Sequence, residues 1–350
     1  MDTEFHYYMT YLIAVKAGFR PKDARIIAYA SQYVDDNTIA YEVNRGESEY
    51  YTNYISQTAA ITKPRNELLR VYLVFHFIPG DPMHPCASRR DGKMHILNTT
   101  PGSVNAADIM DAAIRSEDVY RIGIACHSYA DTWSHQNFTG FYDSFNAFKG
   151  LFEQALPNIG HVDAQIVPDL PACKWKDRRL TAENCEVDNI SRFLDAARCL
   201  FEKLRRAADP SCPQQSVERD SHALIRDLRD DMGDDDPENR ASQGRIDRYV
   251  SRSTSEDYGK EPLDEYNREA WLTDAAQAAI PFVRYLTRWD IQKGAYHWRD
   301  ILHYKESHWY RFQEAVKEHQ STALDLLEER VLSRMMSKEE IGDLKRMRIL

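Results

Sequence analysis

The sequence predicts an all-α fold: a multi-helix single domain over residues 1–290, with a polar insertion at 208–262 and a helical C-terminal extension at 291–350. Three observations predict it. Apolar residues recur at helical spacing near the start (Phe5, Met9, Leu12, Ile13), in the middle (Phe193, Leu194, Ala197, Leu200, Phe201, Leu204) and near the end (Leu324, Leu327, Val331, Met335). The breaks between these stretches are helix punctuation, such as Gly18-Phe19-Arg20-Pro21 and Asp35-Asp36-Asn37. At 350 residues with 43% hydrophobic and 29% charged, the chain also has the composition of an ordinary globular protein with a sizeable core.

Taken in order, residues 3–17 form the first helix, and Pro21 suits the first turn of a second at about 22–34. Residues 40–75 are less regular, and 71–75 is a β-branched and aromatic run ending in His76-Phe77-Ile78-Pro79-Gly80-Asp81. Residues 79–103, rich in Pro, Gly and charge, read as a loop with a small hairpin near 94–98. Helices follow at 105–115 and 117–136 with Ser116 as N-cap between them, then a further one at 143–155. The stretch 156–190 is mostly loop, and 190–207 resumes as an amphipathic helix. Residues 208–262, centred on DDMGDDDPENR, read as an insertion or lid with a short helix near 220–230. Helix returns at 266–290, and the tail 295–348 carries one apolar stripe suited to core packing or to a homo-oligomer contact.

Charge and cysteine usage narrow the function classes. Forty-five basic against 55 acidic residues give a net charge of −10, so no general binding of duplex nucleic acid is expected. The basic pairs Arg89-Arg90, Arg178-Arg179 and Arg205-Arg206 are either solvated surface or a local groove. None of the six cysteines forms a CxxC pair. Residues 1–8 (MDTEFHYY) lack the basic region of a leader, and no apolar run reaches the ~20 residues of a membrane span, so a cytoplasmic protein is expected.

The segment that carries chemistry is His127-x3-Asp131-x3-His135. On a helix these residues stand at i, i+4 and i+8, within about 80° of rotation. His127 and His135 are then ~12 Å apart, too far for one metal ion, though Asp131 could bridge two. A hydrogen-bonded ladder inside a buried helix is the competing explanation. His6, Asp35, Asp36, His76 and His161 add isolated imidazoles and carboxylates in apolar surroundings, where such groups are costly unless paired or ligated. Together they offer donors for two or three zinc ions. Tyr129, Trp133 and Phe138 interleave with them, either as core or as a wall beside a substrate.

The order His6, Asp35/Asp36, His76, His127-x3-Asp131-x3-His135, His161 resembles the ligand order of zinc-dependent phospholipase C and the related fungal single-strand nucleases. The form ending in Asn137 is similar to the Het-C-like members of that superfamily. The resemblance spans roughly residues 1–165 and implies an all-helical fold around a trinuclear zinc cluster. It implies one ion at Asp35 or Asp36, His76, His127 and Asp131, and a second at His135 and His161 with a nearby carboxylate. A third would take His6, Asp131 and the N-terminal α-amine, with Asp2 as an alternative donor. Where the pattern calls for Glu or Asp four residues past His161, the chain has Gln165, so Asp163 or Asp169 substitutes. The gap of four between Asp131 and His135 is shorter than in the phospholipase C enzymes.

The expected ligand set is therefore His6, Asp36, His76, His127, Asp131, His135, His161 and Asp163, with Asp35 or Asp36 orienting or deprotonating the attacking water. The expected function is phosphoester hydrolysis with two or three Zn2+, on phospholipid or nucleotide. The alternatives are a nuclease or nucleotidase with the same cluster, and a non-catalytic metal-binding protein that oligomerises through its C-terminal helices.

Overall fold

A computed structural model describes residues 1–58, 65–148, 159–279 and 292–346. The helices are α1 (Thr10–Ala17), α2 (Pro21–Asp36), α3 (Arg65–Val71), α4 (Val104–Arg115), α5 (Val119–Ser134), α6 (Asn189–Ala208), α7 (Gln214–Met232), α8 (Ser242–Ser253), α9 (Ala270–Ala275), α10 (His308–Arg330) and α11 (Lys338–Arg346). Two π-helical segments adjoin them: Glu4–Met9 runs into α1, and Tyr72–His76 continues α3.

Helix α5 is the axis. Residues 122–134 are all buried, and α2, α4, α6 and α10 pack around them with the segment Tyr72–His76. Its N-cap is Asp118, whose carboxylate accepts from the Tyr120 and Arg121 amides at 2.8 and 3.4 Å. The expected cap Ser116 instead closes α4, its hydroxyl donating to the Ala113 carbonyl at 2.6 Å. Gly123 lets α2 approach closely: a Cβ there would lie 2.5 Å from the Ile27 carbonyl oxygen and 2.6 Å from the Ala30 Cβ. That crossing sets the end of α2, with Asp35, beside the C-terminal half of α5.

The fold is mostly helical, and two small sheets correct the all-α expectation. Strands β1 (Tyr41–Val43), β2 (Tyr51–Thr52), β5 (Ala276–Ala278) and β6 (Gln292–Trp298) form one sheet in the order β2-β1-β6-β5, with β1 parallel to β6 and the other pairs antiparallel. Strands β3 (Lys174–Lys176) and β4 (Glu186–Asp188) form the other. Strand β6 joins segments some 250 residues apart, a pairing no local pattern announces. The helix expected at 266–290 is thus the short α9 followed by β5, and residues 280–291 lie outside the described residues. The helix expected at 143–155 is a 3-10 turn at Ser144–Asn146, with 149–158 outside the described residues. In the loop 79–103, isolated bridges Pro79↔Thr99 and Arg89↔Leu180 take the place of the expected hairpin.

Residues 208–262 are structured. Val217, Leu224, Leu228 and Tyr249 of α7 and α8 are buried in the main core. Arg245 grips Glu4 with two hydrogen bonds, Nε to Oε2 at 2.8 Å and Nη2 to Oε1 at 2.9 Å, with both side chains buried. This segment therefore clamps the N-terminal π-helix rather than forming a mobile lid. Helix α10 is likewise a layer of the same core: Trp309, Phe312, Val316, Leu324 and Leu327 are buried, and Met335 alone of the tail's stripe is exposed.

Candidate metal centre

Helix α5 presents His127 and Asp131 one turn apart on a buried face and places His135 at its C-cap. The remaining groups come from elsewhere in the chain. His6 sits inside one π-helical segment and His76 closes the other; such wide turns rotate side chains out of α-helical phase and recur at functional sites. Asp35 comes from the end of α2. His161 and Asp169 come from the loop of 3-10 turns Val162–Ala164 and Val167–Asp169.

These groups converge in two nests joined by Asp131. In the first, His127 Nε2 lies 3.1 Å from His76 Nδ1, and Asp131 Oδ2 lies 3.2 and 3.3 Å from those two nitrogens. Asp35 Oδ1 stands 3.8 Å from both. Donors around tetrahedral zinc at bond lengths near 2.0–2.1 Å are separated by about 3.3–3.4 Å, so this triangle has the size of a zinc coordination face. In the second, Asp169 spans two histidines, Oδ1 3.0 Å from His135 Nε2 and Oδ2 3.1 Å from His161 Nε2. Asp131 turns Oδ1 the other way, toward His6 Nε2 at 3.1 Å and the Met1 amine at 2.5 Å. The amine also lies 3.1 Å from Asp169 Oδ1.

The ring orientations decide what these contacts mean chemically. His76 Nε2 donates to the Ser56 carbonyl at 2.9 Å, His135 Nδ1 to the His76 carbonyl at 2.8 Å, and His161 Nδ1 to the Gln165 carbonyl at 2.7 Å. A carbonyl only accepts, so each of these nitrogens carries the hydrogen. In a neutral ring the opposite nitrogen then holds a lone pair, and in all three rings that nitrogen faces a carboxylate oxygen. Lone pair against carboxylate is repulsive unless a proton or a cation lies between. A backbone carbonyl behind the ring is the usual outer support of a metal-bound histidine. Among the described residues, His127 Nδ1 has no hydrogen-bond partner although it is buried.

The protonation balance reflects the same competition. Burial raises the Asp131 carboxyl, but His135, the Met1 amine, His127 and His6 outweigh it and hold it well below the usual carboxylate range. Asp169 is also held low, burial being outweighed by His161, the amine and His135. Burial, reinforced by His127, pushes His6 down to about 3. For His127 and His161 burial is overcome by neighbouring carboxylates, and both are raised.

Three groups have ligand geometry among the described residues: His6, His127 and Asp131; Asp35, His76 and His127; and His135, His161 and Asp169. The first two share His127, whose Nε2 can serve one ion only. Of the expected residues, His6, His76, His127, Asp131, His135 and His161 are brought together. Asp36 is not: its carboxylate accepts from Tyr266 Oη at 2.8 Å, and the adjacent Asp35 faces the histidines. Asp163 is not either: it accepts from the Phe148 amide at 3.1 Å, and Asp169 takes its place. Both corrections have one cause. Neighbouring carboxylates point in different directions, and only the helix end or loop conformation selects one.

A cavity of about 340 Å³ opens over the nests, lined by Asp35, His76, Asp131, His135, His161 and Asp169 together with Tyr72, Phe77, Ile159 and Val162. Phe77 stacks on His135 at 4.4 Å between centroids, 16° from parallel. Neither Phe77 nor Tyr72 stands out as a site residue from the sequence alone, although Phe77 directly follows His76. Trp133 is instead tied to Asp195 at 2.7 Å, and neither it, Tyr129 nor Phe138 lines the cavity.

A family model described as a family of unknown function, DUF6765, matches residues 1–327. The chain belongs to the DUF6765 family. The match takes in every residue of the two nests, the helices α7 and α8, and most of α10. No curated protein and no solved structure matches this DUF6765 chain. Among the described residues, no helix is long and apolar enough to cross a membrane.

Proposed function

We propose that this DUF6765 chain is a zinc-dependent phosphoester hydrolase similar to phospholipase C. One ion is assigned to Asp35, His76, His127 and Asp131, and the other to His135, His161 and Asp169. Asp131 lies between them, and His6 with the Met1 amine completes the shell of its second oxygen. The observation that carries this reading is the set of three imidazoles whose N–H groups are committed to backbone carbonyls while their other nitrogens face carboxylates.

Zinc bound there would polarise a phosphoryl oxygen and lower the pKa of water. The chain's own contribution is to hold the rings in one tautomer and to keep the site narrow. Asp35 faces the two rings through Oδ1 only, so its other oxygen, at the cavity wall, would be the one to orient water or hold its proton, a role Asp36 does not fill while bonded to Tyr266. Tyr72, Phe77, Ile159 and Val162 give the cavity an apolar side, and among the described residues no Lys or Arg lines it. That lining favours a phosphodiester carrying an apolar group, such as a phospholipid, over a nucleic-acid polyanion, which would need cations along its backbone.

The test is metal content by elemental mass spectrometry on untagged protein beside an Asp131→Asn/His135→Ala double variant, followed by assays on phosphodiester and phospholipid substrates. Two or three zinc per chain, lost in the variant, together with hydrolysis, supports the proposal. Bound zinc without hydrolysis of any phosphoester makes the centre a non-catalytic one. Absence of metal under zinc-retaining conditions makes the His–Asp ladder a structural network.

A further inference from the structure

The bridge Arg89↔Leu180 joins two of the basic pairs that are far apart in sequence: the Arg90 amide donates to the Arg179 carbonyl at 3.0 Å, and Arg90 Nε to the Leu180 carbonyl at 2.7 Å. The members of the two pairs then divide. Arg89 and Arg179 turn inward, over the Phe145 and Phe138 rings at 4.2 and 4.0 Å, and pair with Asp91 and Asp177. Arg90 and Arg178 stay exposed, as does Lys93, and none of the three has an ion-pair partner among the described residues. Beside them the loop carries Met83 and Met94, 77% and 65% exposed, across a shallow pocket of about 260 Å³ that also includes Arg89 and Lys93.

We propose that this surface (Arg90, Lys93 and Arg178 with Met83 and Met94) docks the protein on an anionic lipid surface. On a chain of net charge −10, these three cations on the two bridged loops, set against the exposed carboxylates Asp81 and Asp91, of which Asp91 is paired with Arg89, oppose the general repulsion from such a surface. The two methionines decide the class of partner. Flexible unbranched thioethers beside basic side chains enter the boundary between headgroup and acyl chain, while the cations stay with the phosphates. A nucleic acid would use the same cations but gain nothing from two exposed methionines that offer no ring for base stacking. The inference stands apart from the hydrolase reading, since none of these five residues touches the metal nests.

The experiment is co-sedimentation of the full chain with phosphatidylcholine vesicles and with vesicles containing about one-third phosphatidylserine, at low and high salt. Binding is expected on the anionic vesicles only, weakened by salt. Arg90→Glu/Arg178→Glu should weaken it at least tenfold, at roughly fivefold or more per cation lost. Met83→Ser/Met94→Ser should weaken it severalfold while leaving the thermal melt unchanged. A fluorescent single-stranded oligonucleotide run in parallel should bind weakly or not at all. The proposal is overturned by equal binding to both vesicle types, by anionic binding that both double variants leave intact, or by oligonucleotide binding tighter than vesicle binding. It is also overturned if the methionine variant binds like the parent.

Discussion

His76 and His127, from segments about fifty residues apart, bring ring nitrogens to within 3.1 Å of each other above Asp131 Oδ2. Two imidazole nitrogens and a carboxylate oxygen in mutual contact inside a buried nest are compatible only with a shared proton or a cation between them. The other oxygen of the same carboxylate faces His6 and the Met1 amine. Asp131→Asn removes the negative charge common to both sides. It is expected to lower zinc content by more than one equivalent per chain, measured by elemental mass spectrometry. A loss of one equivalent or none would show that Asp131 does not bridge.

The two corrected carboxylates give paired tests. Asp35→Asn and Asp169→Asn each remove a group facing ring nitrogens and should each lower metal content and hydrolysis at least tenfold. Asp36→Asn and Asp163→Asn remove neighbours that bond to Tyr266 and to the Phe148 amide, and should leave zinc content near that of the parent. The reverse ranking in a metal titration would return the ligand roles to Asp36 and Asp163.

Gly123→Ala tests the helix crossing that assembles the first nest. Its new methyl would meet the Ile27 carbonyl oxygen at 2.5 Å, backbone that moves only with all of α2. Overpacking of this kind costs typically about 1–3 kcal/mol. A lower melting temperature is expected, with weaker zinc retention because Asp35 is displaced from His76 and His127. An unchanged melt would mean that α2 shifts freely and that the crossing does not set the site.

Away from the nests, His319 of α10 provides a pH test. It is buried, stacked on Phe75 at 5.5 Å, and Nε2 donates to the Val74 carbonyl at 3.4 Å. Burial pushes its pKa from 6.5 down to about 3. The unfolded chain therefore takes up a proton that the folded one refuses. Its stability contribution is complete above pH ~6.5 and is lost as pH falls toward 3, at about 1.4 kcal/mol per pH unit. In His319→Gln, denaturant melts at pH 7.5 and 5.5 should differ by about 1.4 kcal/mol less than in the parent. Parallel pH curves for the two proteins would place His319 in contact with solvent.

The sequence by itself determined the elements whose signal is local. The stripe of residues 190–207, Pro21 opening α2 and the i, i+4 spacing of His127 and Asp131 depend on neighbours within a few turns, and they hold in the structure, whereas the tail stripe breaks where α10 ends at Arg330 and His135 falls at the C-cap of α5. It also pointed to His6, His76 and His161, because an imidazole among apolar residues carries a desolvation cost wherever the chain folds. Only the tertiary structure decided the rest. The pairing of β1 with β6 joins residues about 250 apart, and the packing of α7, α8 and α10 turns an apparent insertion and tail into core layers. The choice of Asp35 over Asp36 and Asp169 over Asp163 belongs here as well. Adjacent or nearby carboxylates are chemically equivalent in the sequence, and what separates them is the direction each side chain takes from a particular helix end or turn.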